Sequence, residues 1–250
     1  MRDMYAAGFY PFPTEEERWG YWSKHVWVNR IEPGALPLYR KLCDMVTTRK
    51  HFVLTTNVDH QFWKAGFEDK NIFATQGDYG KIQCAGACHD VTYDATDLFA
   101  RMNEARKGCV IPSCMVPVCP VCGGPMAMNL RCDQYFVEDD HWHQAAKRYS
   151  AFLEQAALKE TVVLELGVGF NTPAIIRFPF EKMVRQNGRW SFIRLNTDGA
   201  AVPADVEKRA AGINGDMTES LEGICRALEG KTLEGRASDN GTDRERRHDT

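Results

Sequence analysis

The sequence predicts an α/β fold: a parallel sheet with helices on both faces, interrupted by a small metal-binding insert. Two observations carry this. Four short apolar runs of strand type alternate with helical patterns, and each run ends in polar or glycine-rich residues. Between the second and third runs lies a proline-punctuated stretch, Cys84 to Cys132, holding seven of the nine cysteines.

The chain opens on an aromatic segment, with Phe9, Tyr10 and Phe12 among loop-forming Gly8, Pro11 and Pro13. Thr14 followed by Glu17 reads as a capping box, and Glu15 and Glu16 suit the positive end of a helix dipole. Trp19, Trp22 and Val26 then share one face at helical spacing. Pro33-Gly34 breaks the chain, and a second helix starts at about Pro37, which suits a first turn, and runs through Val46. The first strand, His51 to Thr55, ends in Thr56-Asn57-Val58-Asp59. A short helix, Gln61 to Ala65, stops at Gly66, a natural left-handed cap. The second strand, Asn71 to Thr75, ends in Gln76-Gly77-Asp78-Tyr79-Gly80. Beyond the cysteine-rich stretch a helix spans Asp140 to Ala156, a strand Val162 to Leu166, a helix Pro173 to about Gln186, a strand Ser191 to Leu195, and a last helix Asp216 to Leu228. In parallel sheets ligands bind at the carboxyl ends of strands. The polar ends Thr55–Asp59, Thr75–Tyr79, Gly167–Asn171 and Asn196 therefore predict one shared site. The tail, residues 230–250, carries charges of both signs without apolar periodicity and reads as disordered.

Lys and Arg total 31 against 34 Asp and Glu, a net charge of −3, which argues against a nucleic-acid binder working by bulk charge. No apolar run approaches the roughly 20 residues needed to cross a bilayer, and no signal-type stretch opens the chain. A cytoplasmic, reducing setting follows, in which clustered cysteines serve as metal ligands rather than disulfides. Cys84-x3-Cys88 and Cys119-x2-Cys122, the second pair followed directly by Gly123-Gly124, supply two thiolate knuckles for a closed four-sulfur zinc site of structural type. Cys109, Cys114 and Cys132 compete as ligands, His89 reads as a surface residue, and the metal orders an otherwise core-poor module.

The order of Thr55-Thr56-Asn57-Val58-Asp59, Phe73-Ala74-Thr75-Gln76-Gly77 and the two cysteine pairs is similar to that of the sirtuin family. Glu165-Leu166-Gly167-Val168-Gly169 resembles its glycine-threonine-serine nucleotide loop, with Val168 and Gly169 in place of Thr and Ser. Phe192 to Asn196 resembles its final strand. The resemblance implies a Rossmann-like NAD-binding domain over residues 1–83 and 133–229 and a zinc-binding module over 84–132, with the site between them. It implies NAD as co-substrate, held by Thr55, Asn57, Asp59, Gln76, Gly167, Val168, Gly169, Asn171 and Asn196. Asn57 would contact the nicotinamide ribose or an ordered water, Asp59 the carboxamide, and Asn196 the adenosine ribose. The family's glycine-alanine-glycine loop and its strand are not seen upstream, which reads as a fragment or a late start with the first strand missing, or else as a degraded paralogue.

Where deacylase-type sirtuins place a histidine base, this chain has Gln76. A glutamine amide donates and accepts hydrogen bonds but takes no proton near neutral pH. Release of nicotinamide needs only positioning and electrostatic stabilisation, whereas deacylation needs the base. Asn57, Asp59 and Gln76 thus become the catalytic candidates for ADP-ribosyl transfer to a protein acceptor. The Phe9–Phe12 and Gln76–Gly80 runs resemble the macrodomain-linked microbial sirtuins, whose implied acceptor is a lipoylated carrier like the glycine-cleavage H protein. NAD-dependent deacylation and a non-catalytic NAD- or zinc-binding module are the alternatives.

Overall fold

A computed structural model describes residues 4–169 and 173–239, with side chains to 230. The chain divides into two compact units, Met1–Glu154 and Gln155–Thr250. That cut follows packing, whereas the boundaries at 84 and 132 follow composition.

The first unit begins with α1 (Met4–Ala7) and α2 (Glu15–Val26). Thr14 caps α2 as expected, its hydroxyl accepting from the Glu17 amide at 3.2 Å. A π-helical turn, Trp27–Ile31, leads towards α3 (Pro37–Val46), which starts at its proline. Next come β1 (Val53–Thr55), α4 (Gln61–Lys64), β2 (Ile72–Ala74), β3 (Gly77–Cys84), β4 (Tyr93–Asp94), α5 (Thr96–Ala105), β5 (Met126–Leu130) and α6 (Asp140–Ala156). Gly66 ends α4 at φ +100°. β1 and β2 pair in parallel over three residues each. A ladder that short is marginal by itself. Phe52 and Phe73 back it by packing on Tyr149, Phe152 and Trp142 of α6, at ring separations of 5.0 to 6.1 Å.

β4, β3 and β5 form an antiparallel sheet that sequence periodicity does not predict. β3 is buried along nearly its whole length, so it does not alternate. Its buried amide, Gln83, accepts from Asn129 Nδ2 at 2.7 Å and from the Val137 amide at 2.9 Å, and donates to the Tyr135 carbonyl at 2.6 Å. The core joins Trp19, Trp22 and Val26 to Ile82, Phe99, Met102, Ile111, Met126 and Met128. The cysteine-rich stretch is therefore not core-poor. Its methionines and Phe99 pack on the tryptophans of α2, far away in sequence. Gly20 permits this approach: a Cβ there would lie 2.0 Å from the Cys109 carbonyl oxygen.

The second unit holds β6 (Thr161–Leu166), α7 (Arg177–Gln186), β7 (Trp190–Asn196), β8 (Ala210–Asn214) and α8 (Met217–Asp239). Its strands are parallel in the order β6-β7-β8. The predicted parallel strands thus occur in two sheets rather than one. α7 starts at Arg177 instead of Pro173, and β8 is additional. α8 continues to Asp239, so the part of residues 230–250 read as disordered that lies within 230–239 is helical; the remainder lies outside the described residues. No described helix is long and apolar enough to cross a membrane.

Candidate functional site

The carboxyl ends of β1 and β2 form one polar edge. Thr75 binds the Thr55 carbonyl through its amide at 3.0 Å and its hydroxyl at 3.3 Å, which fixes Gln76 beside the loop that follows β1. Thr55 is buried and its hydroxyl accepts from the Asn57 amide at 3.0 Å. Asn57 is exposed, and its Nδ2 donates to the Tyr39 hydroxyl of α3 at 2.9 Å. Burial, and then the Asp59 charge, push the Tyr39 phenol up to about 12, so it stays protonated. Asp59 is partly buried, and its carboxylate accepts from the Gln61 amide at 3.1 Å. Burial raises the Asp59 carboxyl above its ordinary range, more than its hydrogen bonds lower it. A carboxyl shifted by burial at a polar strand end is a mark of functional sites.

Gln76 leads into β3 through Gly77, whose φ is +94°. A Cβ there would lie 1.9 Å from the Asn129 carbonyl oxygen, so only glycine fits. The Gln76 carbonyl accepts from the Arg131 amide at 3.0 Å. Arg131 itself is a residue that sequence reasoning missed. Its Nε donates to the Thr75 carbonyl at 3.1 Å and its Nη2 pairs with Glu138 at 2.5 Å. The guanidinium lies over Phe136 at 4.3 Å and Trp142 at 5.4 Å. This places a fixed cation at the Thr75–Gln76 corner. Nothing in Leu130-Arg131-Cys132 signals it, because β5 reaches the corner only by pairing with β3. Arg30 and His60 were missed as well; they bond to Asp78, which lies in the predicted Thr75–Tyr79 strand end.

The second unit carries the other candidates. The Gly167 amide donates to the Leu195 carbonyl at 2.9 Å, and Asn196 Nδ2 donates to the Val168 carbonyl at 3.1 Å. Gly167 has φ +61°, and a Cβ at Gly169 would meet nothing within 4 Å. Asn171 lies outside the described residues. The four polar strand ends therefore fall into two groups: Thr55, Asn57, Asp59 and Gln76 in one unit, Gly167, Val168, Gly169 and Asn196 in the other.

Cys84, Cys88, Cys119 and Cys122 bring their sulfurs within 4.8 Å of one another. The Cys84–Cys122 and Cys88–Cys119 separations are both 3.7 Å. A tetrahedral four-sulfur zinc site with bonds of about 2.3 Å has an edge of about 3.8 Å, whereas a disulfide is about 2.05 Å long. Gly123, at φ +71°, turns the second knuckle, and the Gly124 amide points at Cys122 Sγ from 3.4 Å. Cys109, Cys114 and Cys132 stand outside the cluster. His89 is more than a surface residue: its Nδ1 lies 3.0 Å from Cys88 Sγ and its Nε2 2.8 Å from the Tyr93 hydroxyl.

No family model matches the chain. It is similar to a protein ADP-ribosyltransferase of Staphylococcus aureus, 31% identical over 217 residues that cover 86% of this chain and 69% of that protein. It is also similar to a probable bifunctional ADP-ribose hydrolase/ADP-ribosyltransferase of Fusarium oxysporum f. sp. cubense, 30% identical, covering 88% of this chain but 39% of that longer protein. Among solved structures it resembles a Sir2 homologue in complex with NAD, with a TM-score of 0.57 and 17% identity over 86% of this chain and 73% of that one. It resembles a mutant Sir2 homologue with ADP-ribose at a TM-score of 0.55 and 17% identity, over 86% and 76% of the two chains. At these identities the structural likeness shows the fold.

Proposed function

From a chain that belongs to the sirtuin-like, NAD-dependent protein ADP-ribosyltransferases, we propose a division of labour in which the Thr55–Gln76 edge cleaves NAD and directs its ADP-ribosyl group to a lipoylated carrier protein. NAD supplies the ADP-ribosyl group and its nicotinamide leaves. Asn57, tethered to Tyr39, orients the ribose next to the bond that breaks. Asp59 accepts from the nicotinamide carboxamide. Gln76 holds the ribose hydroxyls by hydrogen bonds. Arg131 fixes the Thr75–Gln76 corner against its aromatic neighbours. On the second unit, Gly167, Val168 and Gly169 give a ligand close access to backbone, and Asn196 holds the adenosine ribose, with Asn171 as a further contact.

The observation that carries this reading is Gln76. It follows β2, whose last residues pair with the strand that leads to Asn57, and its amide takes no proton near neutral pH. A site built this way stabilises charge developing at the ribose but does not drive the proton transfers of deacylation. Zn2+ fits the four sulfurs by separation and donor type. In a closed site of this kind it would hold the module's turns together and leave no position open for chemistry. Free thiols at this density fit a reducing cytoplasm.

The test mixes the chain and NAD with a lipoylated carrier or with an acyl-lysine peptide, following products by intact mass. The expected product is carrier bearing one ADP-ribosyl group, with the peptide unchanged and Gln76→Ala impaired. Robust deacylation that survives Gln76→Ala overturns the reading.

A further inference from the structure

Two ionisable side chains that the proposed reaction does not use face each other between its two loops. His60 directly follows Asp59, and Asp78 lies two residues after Gln76. His60 Nδ1 is 2.6 Å from Asp78 Oδ2. The imidazole stacks on Trp63 at 4.5 Å, with the rings 10° from parallel. His60 has φ +65°, and among the described residues only Ala87 is another non-glycine residue with positive φ. Histidine, like Asn and Asp, adopts this conformation more readily than most side chains, and here the Trp63 stack and the Asp78 bond hold the ring in place.

Asp78 is anchored from the other side. Its Oδ1 accepts from Arg30 Nε and from the Gly80 amide, both at 2.6 Å. Arg30 comes from the π-helical turn, and its Nη1 reaches the Thr96 hydroxyl at 3.1 Å. The guanidinium fills the space a side chain at Gly80 would need, since a Cβ there would lie 2.3 Å from it. Lys64, on the helix that follows His60, donates to the Arg30 and Pro33 carbonyls. Burial pushes the Asp78 carboxyl up, but the His60 hydrogen bond and the Arg30 charge outweigh it and hold the group below its ordinary range. Asp78 is therefore a fixed anion, and His60 Nδ1 carries the proton that it accepts.

We propose that His60 and Asp78 are a positioning pair for ADP-ribosyl transfer, whose hydrogen bond ties the loop bearing Asn57 and Asp59 to the strand start bearing Gln76. This rests on the roles given above to those three residues. The ladder between the loops is three residue pairs long and marginal by itself; beyond it the Tyr79 amide donates to the Val58 carbonyl at 2.9 Å, and the His60–Asp78 bond adds a side-chain tie between the same two segments. Without a proton acceptor at Gln76, the rate depends on geometry, and a misplacement of about 1 Å costs on the order of 100-fold.

The test uses substitutions that tolerate the left-handed backbone. His60→Asn keeps a donor near the Nδ1 position. His60→Asp has nearly the same shape but sets a carboxylate against Asp78. His60→Gly removes the contact without backbone strain and serves if His60→Asp fails to fold. Nicotinamide release from NAD by the full chain is expected to lose at least about tenfold in kcat for His60→Asp and His60→Gly. KM for NAD should move less than about threefold, and His60→Asn should stay within about threefold of the parent. Hydrogen exchange should rise in both segments, 55–60 and 76–80, for His60→Asp and His60→Gly, but not for His60→Asn. Full activity in His60→Gly overturns the proposal, as does a His60→Asn chain as impaired as His60→Asp. Unchanged exchange in both loops of His60→Gly overturns the tie whatever the activity. A parent chain that releases no nicotinamide while exchange behaves as expected overturns the functional reading and the catalytic role of the pair, and leaves the tie itself supported.

Discussion

The polar edges of the two units are built in opposite ways. At the end of β1 and β2 the charges sit on the edge: Arg131 braces the Thr75–Gln76 corner, and Asp78 gathers bonds from Arg30, His60 and Gly80. At the end of β6 and β7 the charges lie inside the sheet. Glu165 and Arg194 are in register, both nearly inaccessible, and joined by two bonds of 2.6 and 3.0 Å. Arg194 also reaches Glu181 at 2.7 Å and the Ala201 carbonyl at 2.6 Å. The edge above them offers glycine backbone, one carbonyl and Asn196. The first edge is organised to act electrostatically on a small reacting group. The second is organised to let a ligand approach backbone closely. Removing Glu165 should therefore cost stability in the second unit, and removing the partly exposed Arg131 should cost turnover in the first.

The largest effect is expected from Glu165→Gln. It removes the buried carboxylate that Arg194 and its buried neighbour Arg177, 3.8 Å away, share, and leaves Arg194 with Glu181 as its carboxylate partner at 2.7 Å. Breaking a buried pair in this way costs about 3–5 kcal/mol. Denaturant unfolding should show it, and Glu165→Leu combined with Arg194→Met should recover much of the loss, because the pair's own net contribution is small. A cost below about 1 kcal/mol for Glu165→Gln would remove the contrast between the edges.

Arg131→Ala probes the other side. The arginine makes one bond to backbone, one partly exposed ion pair and two aromatic contacts, so folding should survive its loss. Nicotinamide release should fall by at least about tenfold, because the Thr75–Gln76 corner loses its brace. A variant with parent turnover would show that charge on this edge is structural, as it is beneath the other.

How legible each region was follows from how local its interactions are. The four-cysteine cluster was readable because each cysteine pair sits in a turn of four or five residues, and two such turns suffice to bring four sulfurs together. α2 and α3 were readable because their caps, Thr14 and Pro37, lie in the sequence beside the apolar stripe they start. β3 was not, because it is buried on both faces and carries Asp78 and Gln83 inside, which mimics a polar loop. Glu165 and Arg194 gave no warning either, since each alone reads as one charged position in an apolar strand. The candidate residues Asn57, Asp59 and Gln76 were legible through strand ends and family resemblance. What braces them was not: His60 and Asp78 are 18 residues apart, and Arg131 meets Thr75 across 56.

Asn196→Ala should give the smallest change and the most specific one. The side chain makes two bonds, donating to the Val168 carbonyl at 3.1 Å and accepting from the Thr197 amide at 2.9 Å. Losing them at a half-buried site costs about 1 kcal/mol of stability. The Gly167 amide keeps its bond to the Leu195 carbonyl, so the glycine turn remains where it is. If this edge holds the adenosine end of NAD, the substitution removes binding that is equal in ground and transition states. KM for NAD then rises severalfold while kcat stays at the parent value. A fall in kcat with unchanged KM would reverse the assignment and make the second edge, like the first, part of the reacting machinery.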